Sequence, residues 1–194
     1  MKTVFVISGP SGSGKSTLIN MLINDFSDIS PTVSHTTRRM RSGEVDGKDY
    51  YFVNQERFAE MIQNGQFIEH VKCFGNFYGT SLMTVERSFE KNNLCIMDLN
   101  WEGAYNLLHD GNNNNVLSLK SDNLKKIGVL ILPPSFKTLR DRLQKRNSET
   151  NESFESRLSE SFVVEKIAKY DYVLINGNIT ESYNDLKEIY NIWK

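Results

Sequence analysis

The feature of this sequence that most constrains its fold is the glycine-rich stretch GPSGSGKST at residues 9–17. A run of β-branched and aromatic residues precedes the stretch, and apolar residues at helical spacing follow it. From Gly9 to Ser16 the spacing is GxxxxGK[ST], which is typical of a loop whose backbone N–H groups and following helix N-terminus bind phosphate. Lys15 would contact the outer phosphates, and Ser16 would ligate Mg²⁺. The order strand, loop, helix favours this interpretation over a flexible Gly/Ser turn.

Composition and charge restrict the class of protein further. At 194 residues the chain predicts one α/β domain, and its net charge of −1 argues against a general affinity for nucleic acid or anionic membranes. Cys73 and Cys95 lack CxxC or metal-ligand spacing, which predicts buried free thiols. No run approaches the roughly 18 apolar residues of a membrane span. The first expected strand begins at Thr3, which leaves no room for a signal or transit peptide, so we expect a cytoplasmic protein.

Strands alternate with helices along the chain, which predicts a parallel sheet with the glycine-rich loop at the carboxyl end of its first strand. Residues 94–98 form an apolar run that ends in an acid, as in a central strand buried on both faces. Asp98 at its end would serve Mg²⁺ and its waters, or would cap the following helix, and the two roles are compatible. Further buried strands are predicted at residues 127–132 and 172–175.

Residues 33–80 predict a small β-rich excursion after the first helix. Arg38, Arg39 and Arg41 make its first part a candidate second phosphate site, because guanidinium forks suit oxyanions, with a solvated basic loop as the alternative. The remaining predicted elements are a hairpin over residues 42–52, a helix over 55–64, a strand over 66–71 that carries Glu69, and an aromatic, glycine-containing turn over 74–80.

The carboxyl-terminal part of the chain divides into a polar loop and helices. The asparagine run at residues 112–115 predicts a surface loop over about residues 109–123, with a strand or short helix at 116–119 as an alternative for its second half. Ser135 is the predicted N-cap of a helix whose inward residues are Phe136, Leu139 and Leu143. The basic opposite face of that helix is interpreted as solvated. The last helix carries an apolar stripe, which we assign to core packing.

With these residues identified, the sequence closely resembles the guanylate kinase family over essentially its full length. The glycine-rich loop is shared by many NTPases, whereas the pattern S-x-TTR-x-x-R-x-GE-x-x-G-x-DY-x-F, from Ser34 to Phe52, is far more specific. Other positions that match the family are Glu69, Tyr78-Gly79-Thr80, Asp98, Pro133-Pro134-Ser135, Arg142, Arg146 and Arg157.

The resemblance implies a P-loop NTPase three-layer α/β fold with a central parallel sheet, a small β-rich GMP-binding subdomain and a helical lid. We expect a single domain over residues 1–194. Its expected segments are a core at 1–32, 81–135 and 168–194, a GMP-binding subdomain at 33–80, a lid at about 136–167 and the asparagine-rich surface loop at about 109–123.

The resemblance also implies a role for each matching residue. The residues implied to bind GMP are Arg38, Arg41, Tyr50 and Tyr78 at its phosphate, with Ser34 near it, Glu69 and Thr80 at the guanine, and Asp98. Those implied to bind ATP are Ser11, Gly12, Ser13, Gly14, Lys15, Ser16 and Thr17, with Arg142 and Asn176 near the purine. The implied catalytic residues are Lys15, Arg41, Arg146 and Arg157, and the implied Mg²⁺ ligands are Ser16 and, through water, Asp98.

The chemistry of the substrates agrees with these roles. Guanine presents N1–H and a 2-amino group as adjacent donors, which the carboxylate of Glu69 can accept, whereas adenine has a bare N1 acceptor. Transfer between nucleotide phosphates needs no general base, since the attacking oxygen is already ionised. Positioning and charge neutralisation therefore dominate, which suits a lysine and several arginines.

The resemblance implies an enzyme that transfers the γ-phosphoryl group of ATP to GMP, and to dGMP, with Mg²⁺ and without a nucleic-acid, membrane or obligate protein partner. One alternative is a guanylate-kinase-like protein-binding module that has lost catalysis, against which the intact loop and the lid arginines argue. Another alternative keeps the chemistry but uses a different nucleoside monophosphate as acceptor. The chain departs from the commonest family pattern at Asn100, where an acid is frequent, at Trp101-Glu102, at Asn147 and at Gly177. The change at Asn100 bears on how the guanine or its neighbouring arginines are held.

Overall fold

The computed structural model describes residues 2–109, 124–145, 167 and 169–194. In chain order its strands are β1 (Lys2–Ser8), β2 (Ile29–Pro31), β3 (His35–Thr36), β4 (Tyr51–Phe52), β5 (Phe67–Cys73), β6 (Asn76–Ser81), β7 (Leu94–Asp98), β8 (Leu124–Leu132) and β9 (Tyr172–Ile175). Its helices are α1 (Lys15–Asp25), α2 (Gln55–Gln63), α3 (Leu82–Lys91), α4 (Trp101–His109), α5 (Phe136–Lys145) and α6 (Ile179–Trp193).

The larger sheet has the order β2-β7-β1-β8-β9, and every pairing in it is parallel. Strand β7 spans the predicted residues 94–98, and Asp98 at its end lies opposite Ile7 of β1. The prediction of a parallel sheet with the glycine-rich loop at the carboxyl end of the first strand is therefore confirmed. This edge of the sheet is where a parallel α/β fold binds its ligands.

Alternate residues of β1 pack against helices on opposite faces of this sheet, because successive side chains of a strand point in opposite directions. Phe5 and Ile7 lie in one core cluster with buried residues of α1 and α6. Val4 and Val6 lie in a second cluster with buried residues of α3 and α4. The result is a sheet between two helical layers, with a core on each face.

A smaller sheet, of order β4-β3-β6-β5, contains the residues predicted to form the β-rich excursion. Strands β5 and β6 pair antiparallel through a two-residue turn in which Phe74 has φ of 50° and Gly75 has φ of 74°. Positive φ at both turn residues matches the twist of a hairpin. The turn predicted over residues 74–80 is thus confined to two residues, because from Asn76 onward the backbone is bonded to β5.

The hairpin predicted over residues 42–52 is wrong. Strand β4 pairs parallel with β3, and its bonds include Tyr51 N–H to the carbonyl of Ser34 at 2.9 Å. The ring of Tyr51 also stacks on buried His35, with centroids 4.8 Å apart. The turn residues that suggested a hairpin instead fold the loop on itself, since Asp49 accepts the N–H of Val45.

For the helices after β8, most predictions about caps and buried residues are confirmed and one is wrong. Ser135 accepts the N–H of Thr138 at 3.1 Å, which confirms the predicted N-cap. Leu139 and Leu143 are buried as expected, but Phe136 is 42% exposed, so its predicted inward orientation is wrong. The apolar stripe of α6 is buried in the core, as predicted, and is formed by Tyr183, Leu186, Ile189 and Tyr190, with Trp193 partly buried.

Several sequence predictions lie outside the described residues, namely the asparagine-rich loop beyond residue 109 and the lid residues Arg146, Asn147 and Arg157. Both cysteines are free; Cys95 is buried, but Cys73 is only partly buried, which corrects that half of the prediction. No helix in the described part of the chain is long and apolar enough to cross a membrane.

Candidate active site

The glycine-rich loop has the backbone shape of an anion-binding loop. Gly14 has φ of 97° and lies immediately before α1, and Gly12 has φ of 87°. Residues that carry a side chain rarely adopt such left-handed φ values, so glycine is required at both positions. At Gly14 there is also no space, because a Cβ there would overlap the Asn176 side-chain amide.

Lys15 and Ser16, the first residues of α1, lie where the sequence predicted a phosphate and metal site. Lys15 Nζ donates to the carbonyl of Gly9 at 2.7 Å, and Ser16 Oγ donates to Asp98 Oδ2 at 3.3 Å. The structure thus brings together the two predicted Mg²⁺ ligands across the carboxyl ends of β1 and β7. A hydroxyl and a carboxylate are oxygen donors of the kind that Mg²⁺ prefers, so these residues fit the ion.

Asp98 is an exposed residue that lines the cleft between β1 and the arginine loop, which joins β3 to β4. Desolvation by the surrounding protein raises the pKa of Asp98 above its ordinary value, and the charge of Lys15 and the hydrogen bond from Ser16 partly oppose this shift. The alternative role predicted for Asp98, as the cap of α4, is wrong. Asn100 Oδ1 accepts the N–H of Gly103 at 2.8 Å and is the cap instead.

A second basic group lies on the loop between β3 and β4. Arg38 donates through both terminal nitrogens to the carboxylate of Glu44, at 2.7 Å and 3.0 Å, and Glu44 also accepts the N–H of Arg41 at 2.7 Å. The pKa of Glu44 is lowered, and the largest cause is its hydrogen bonding to Arg38, which stabilises the charged carboxylate. Glu44 was part of the matched sequence pattern but received no role. The sequence signal was an acid three residues after one arginine and six after another.

Two tyrosines flank Arg38 on the cleft side. The guanidinium carbon of Arg38 lies 5.4 Å from the ring centroid of Tyr50, and the rings of Tyr50 and Tyr78 are 6.2 Å apart. Burial raises the pKa of Tyr50 to about 12, so its hydroxyl stays a hydrogen-bond donor at neutral pH. An arginine and two phenols at one place form a suitable site for a phosphate dianion.

The threonine pair of the matched pattern, Thr36 and Thr37, anchors the start of the loop that carries these arginines. Thr36 Oγ1 donates to the carbonyl of Phe77 at 3.0 Å, and Thr37 Oγ1 accepts the N–H of Phe77 at 2.9 Å. The side chain of Thr36 also accepts the N–H of Arg38. The two threonines therefore attach the arginine segment to β6 beside Tyr78.

One hydrogen-bonded row joins Glu69 and Thr80, which were predicted at the guanine, to Ser34, which was predicted near the phosphate of GMP. Ser34 Oγ and Thr80 Oγ1 are 3.0 Å apart, and the N–H of Thr80 donates to Glu69 Oε1 at 2.8 Å. Glu69 is only 6% exposed. Its burial raises its pKa to about 7, although the hydrogen bonds from Thr80 lower it. Such a carboxyl is poised between charged and neutral forms.

Arg142 and Asn176, predicted near the ATP purine, are bonded to the glycine-rich loop and to each other. Asn176 Nδ2 donates to the carbonyl of Ser13 at 2.8 Å, and its side chain is buried at 2% exposure. Arg142 on α5 donates to the carbonyls of Ser13 and Asn176, at 3.3 Å and 3.0 Å. Both residues therefore support the back of the loop. Their sequence signal gave proximity to ATP but not this support.

A single cleft of about 950 Å³ joins these groups. Its lining includes the glycine-rich loop at one end and the Arg38, Tyr50, Tyr78 and Glu69 group at the other, with Asp98 and Asn100 between them. Most of the predicted site residues in the described part of the chain line this cleft, and those that do not are Ser13, Thr17, Thr80, Arg142 and Asn176. Arg146 and Arg157 are outside the described residues. The arrangement can bind two phosphorylated ligands with their phosphates facing one another.

Comparisons of the sequence with a family model and with known proteins all match guanylate kinases. A family model described as guanylate kinase matches residues 1–192. The chain is 39% identical over 189 residues to a guanylate kinase of Wolbachia pipientis wMel, with 97% of this chain and 89% of that protein covered. It is 40% identical over 188 residues to a guanylate kinase of Homo sapiens, with 94% and 89% covered.

A solved structure supports the fold. The crystal structure of guanylate kinase from Anaplasma phagocytophilum matches with a TM-score of 0.70 at 30% identity, covering 98% of this chain and 85% of that one. Together with the all-parallel larger sheet, this likeness confirms the predicted P-loop NTPase α/β fold.

Proposed function

The chain belongs to the guanylate kinase family of nucleoside monophosphate kinases, and from that premise we propose that it transfers the γ-phosphoryl group of Mg²⁺-bound ATP to GMP and to dGMP. The observation that carries this proposal is the buried Glu69, bonded to Thr80 at the end of the cleft opposite the glycine-rich loop. A carboxylate in that place selects a base that offers two adjacent donors, and guanine is such a base.

On the donor side, the loop binds the phosphates of ATP. Its backbone N–H groups and the N-terminus of α1 face the anion, and Lys15 exchanges its bond with the Gly9 carbonyl for the outer phosphates. Ser16 and, through water, Asp98 would hold Mg²⁺, which would supply positive charge that neutralises the phosphates. Arg142 and Asn176 keep the loop in shape beside the purine.

On the acceptor side, the phosphate of GMP binds to Arg38, Arg41, Tyr50 and Tyr78. Glu44 holds Arg38 through both of its terminal nitrogens, so the guanidinium is oriented before GMP arrives. Ser34 contributes a hydroxyl near the phosphate and Thr80 one near the base, and the two hydroxyls are already bonded to one another. These residues contact the base and the phosphate, which is why we propose that dGMP is accepted as well.

The transfer itself depends on alignment and charge. The acceptor phosphate oxygen is ionised and needs no base, so the chain has to hold two anions close together and neutralise their repulsion. Lys15 and Arg41 do this from the two sides of the cleft, and we propose that Arg146 and Arg157 complete the positive charge around the transferred group. In this proposal residues 33–80 are the GMP-binding subdomain, about 136–167 the lid, and 1–32, 81–135 and 168–194 the core.

A panel of nucleoside monophosphates tests the function directly. Formation of ADP from ATP is followed with GMP, dGMP, AMP, CMP and UMP, with Mg²⁺ and then with EDTA. We expect turnover with GMP and dGMP, a kcat/KM for AMP lower by on the order of 10⁴, and loss of turnover in EDTA that Mg²⁺ restores. Absence of GMP-dependent ADP formation would reject the proposal in favour of a protein-binding module.

The proposed lid arginines make a separate prediction. Replacement of Arg146 or Arg157 by alanine removes positive charge that acts on the transition state, so kcat should fall by about 10² or more. Steady-state kinetics at saturating ATP and GMP measures this effect. If kcat is unchanged and only KM rises, these arginines bind substrate and do not stabilise the transferred group.

A further inference from the structure

A glycine occupies the first turn of α4 beside the buried carboxylate of Glu69. Gly103 is buried, and it is not among the glycines with positive φ. The backbone therefore does not require glycine at this position, and glycine is a poor helix residue compared with alanine. Its presence needs another physical reason.

That reason is space for the carboxylate. A Cβ at position 103 would overlap Glu69 Oε2, and it would lie 3.3 Å from Glu69 Cδ and 3.1 Å from Asn100 Oδ1. Carbon cannot approach a carboxylate oxygen so closely, so any side chain at Gly103 forces either the carboxylate or the helix to move.

Neither partner can move without losing contacts. Glu69 is held from the other side, because its Oε1 accepts the N–H of Thr80. Helix α4 is held by Ala104 and Leu107, which are buried in the second core cluster, and by the cap from Asn100. Of the two, the single side chain of Glu69 has the lower cost of rearrangement, since it can rotate about its own bonds while the helix backbone is packed.

We propose that Gly103 is a positioning residue for base selection: its missing side chain lets the Glu69 carboxylate keep the orientation that faces the acceptor base. This inference rests on the proposed function, in which Glu69 recognises guanine.

The substitution Gly103→Ala tests the proposal. We expect KM for GMP to rise by about tenfold or more and the ratio of kcat/KM for GMP over AMP to fall by a similar factor, while KM for ATP stays within about twofold. A general disturbance of the fold would instead lower the turnover of both acceptors and weaken ATP equally. The matched control is Glu102→Ala, which changes the adjacent, exposed residue of the same helical turn and should leave these values unchanged.

A double-mutant cycle shows whether Gly103 acts through Glu69. In a Glu69→Ala background the clash is absent, so adding Gly103→Ala should change KM for GMP by less than about twofold. An equal rise in both backgrounds would overturn the proposal, as would unchanged base selectivity in the single variant. Wild-type enzyme that fails to use GMP would instead refute the proposed function, so the two failures are distinguishable.

Folding of the variants is itself informative. Circular dichroism and thermal melting are measured for Gly103→Ala alone and combined with Glu69→Ala. A single variant that does not fold, rescued by removal of the Glu69 side chain, supports the proposed contact. If neither variant folds, the glycine serves the packing of α4 and the proposal is wrong.

Discussion

Glu69 is a carboxyl that is nearly excluded from water and has no cation bonded to it among the contacts described above. Burial raises its pKa to about 7 from an ordinary value of 4.5, and two bonds from Thr80 oppose this shift. The folded protein therefore binds a proton that the unfolded chain has lost, so this group's contribution to the free energy of unfolding falls as pH rises from about 4.5 to about 7. Only the ionised form can accept both donors of guanine, so stability and recognition have opposite pH dependence at this residue.

The affinity for GMP should consequently depend on pH. One pH unit below its pKa, about a tenth of Glu69 is ionised, so KM for GMP at pH 6 should be about tenfold higher than at pH 8. KM for ATP over the same range is the internal comparison.

The phosphate of GMP also titrates near pH 6, which requires a control. A Glu69→Gln variant keeps the phosphate effect and loses the carboxyl effect. Its KM for GMP should therefore be higher at both pH values and change less between them. Parallel pH profiles for the two proteins would show that Glu69 does not titrate in this range.

Single residues also show what a sequence can and cannot predict. The pattern from Ser34 to Phe52 identified the arginines, yet the bidentate contact of Glu44 with Arg38 required the loop conformation. Gly103 carried no signal in the sequence, because a helical glycine has no local role and its neighbour Glu69 lies 34 positions earlier in the chain. Side-chain proximity across elements is decided by tertiary packing.

Among the elements, the glycine-rich loop depends on a residue that follows the last strand of the larger sheet. Asn176 donates from Nδ2 to the carbonyl of Ser13 and fills the space beside Gly14. Replacement by alanine removes the shorter of the two hydrogen bonds to that carbonyl and leaves only the 3.3 Å bond from Arg142. We expect the free energy of unfolding to fall by about 1–3 kcal/mol and KM for ATP to rise.

A nearby asparagine provides the control for this prediction. Asn178 caps α6, with Oδ1 accepting the N–H of Thr180 at 2.9 Å, so Asn178→Ala should lower stability by about 1 kcal/mol without changing KM for ATP. Urea unfolding and steady-state kinetics measure both quantities. If Asn176→Ala loses stability with an unchanged KM for ATP, the residue supports the fold and not the bound nucleotide.

The residue patterns in the sequence predicted some strands and helices better than others. Strand β7 was predicted at the correct residues because a continuous apolar run is typical of a strand buried on both faces. The wrong hairpin over residues 42–52 arose because turn residues indicate a reversal but not its partner. Here Tyr51 and Phe52 pair with β3, from which they are separated by the whole arginine loop.

For the molecule as a whole, the larger parallel sheet is what the sequence predicted best. The parallel sheet followed from the alternation of strands and helices, and the carboxyl ends of β1 and β7 placed Ser16 beside Asp98. What the sequence could not give is the burial of Glu69 in the row with Thr80 and Ser34, since that depends on how β5 and β6 pair. In the proposed function the smaller sheet and its arginine loop therefore bind both the base and the phosphate of the acceptor, and the loop after β1 of the larger sheet binds the phosphates of ATP.

The measurement that tests this account most directly is kcat/KM for GMP and for AMP in the wild type and in Glu69→Gln. We expect the substitution to lower kcat/KM for GMP by about 10² and to leave the value for AMP and KM for ATP nearly unchanged, because only the guanine contact is lost. A Glu69→Gln enzyme that keeps its kcat/KM for GMP within about threefold of the wild type would contradict it.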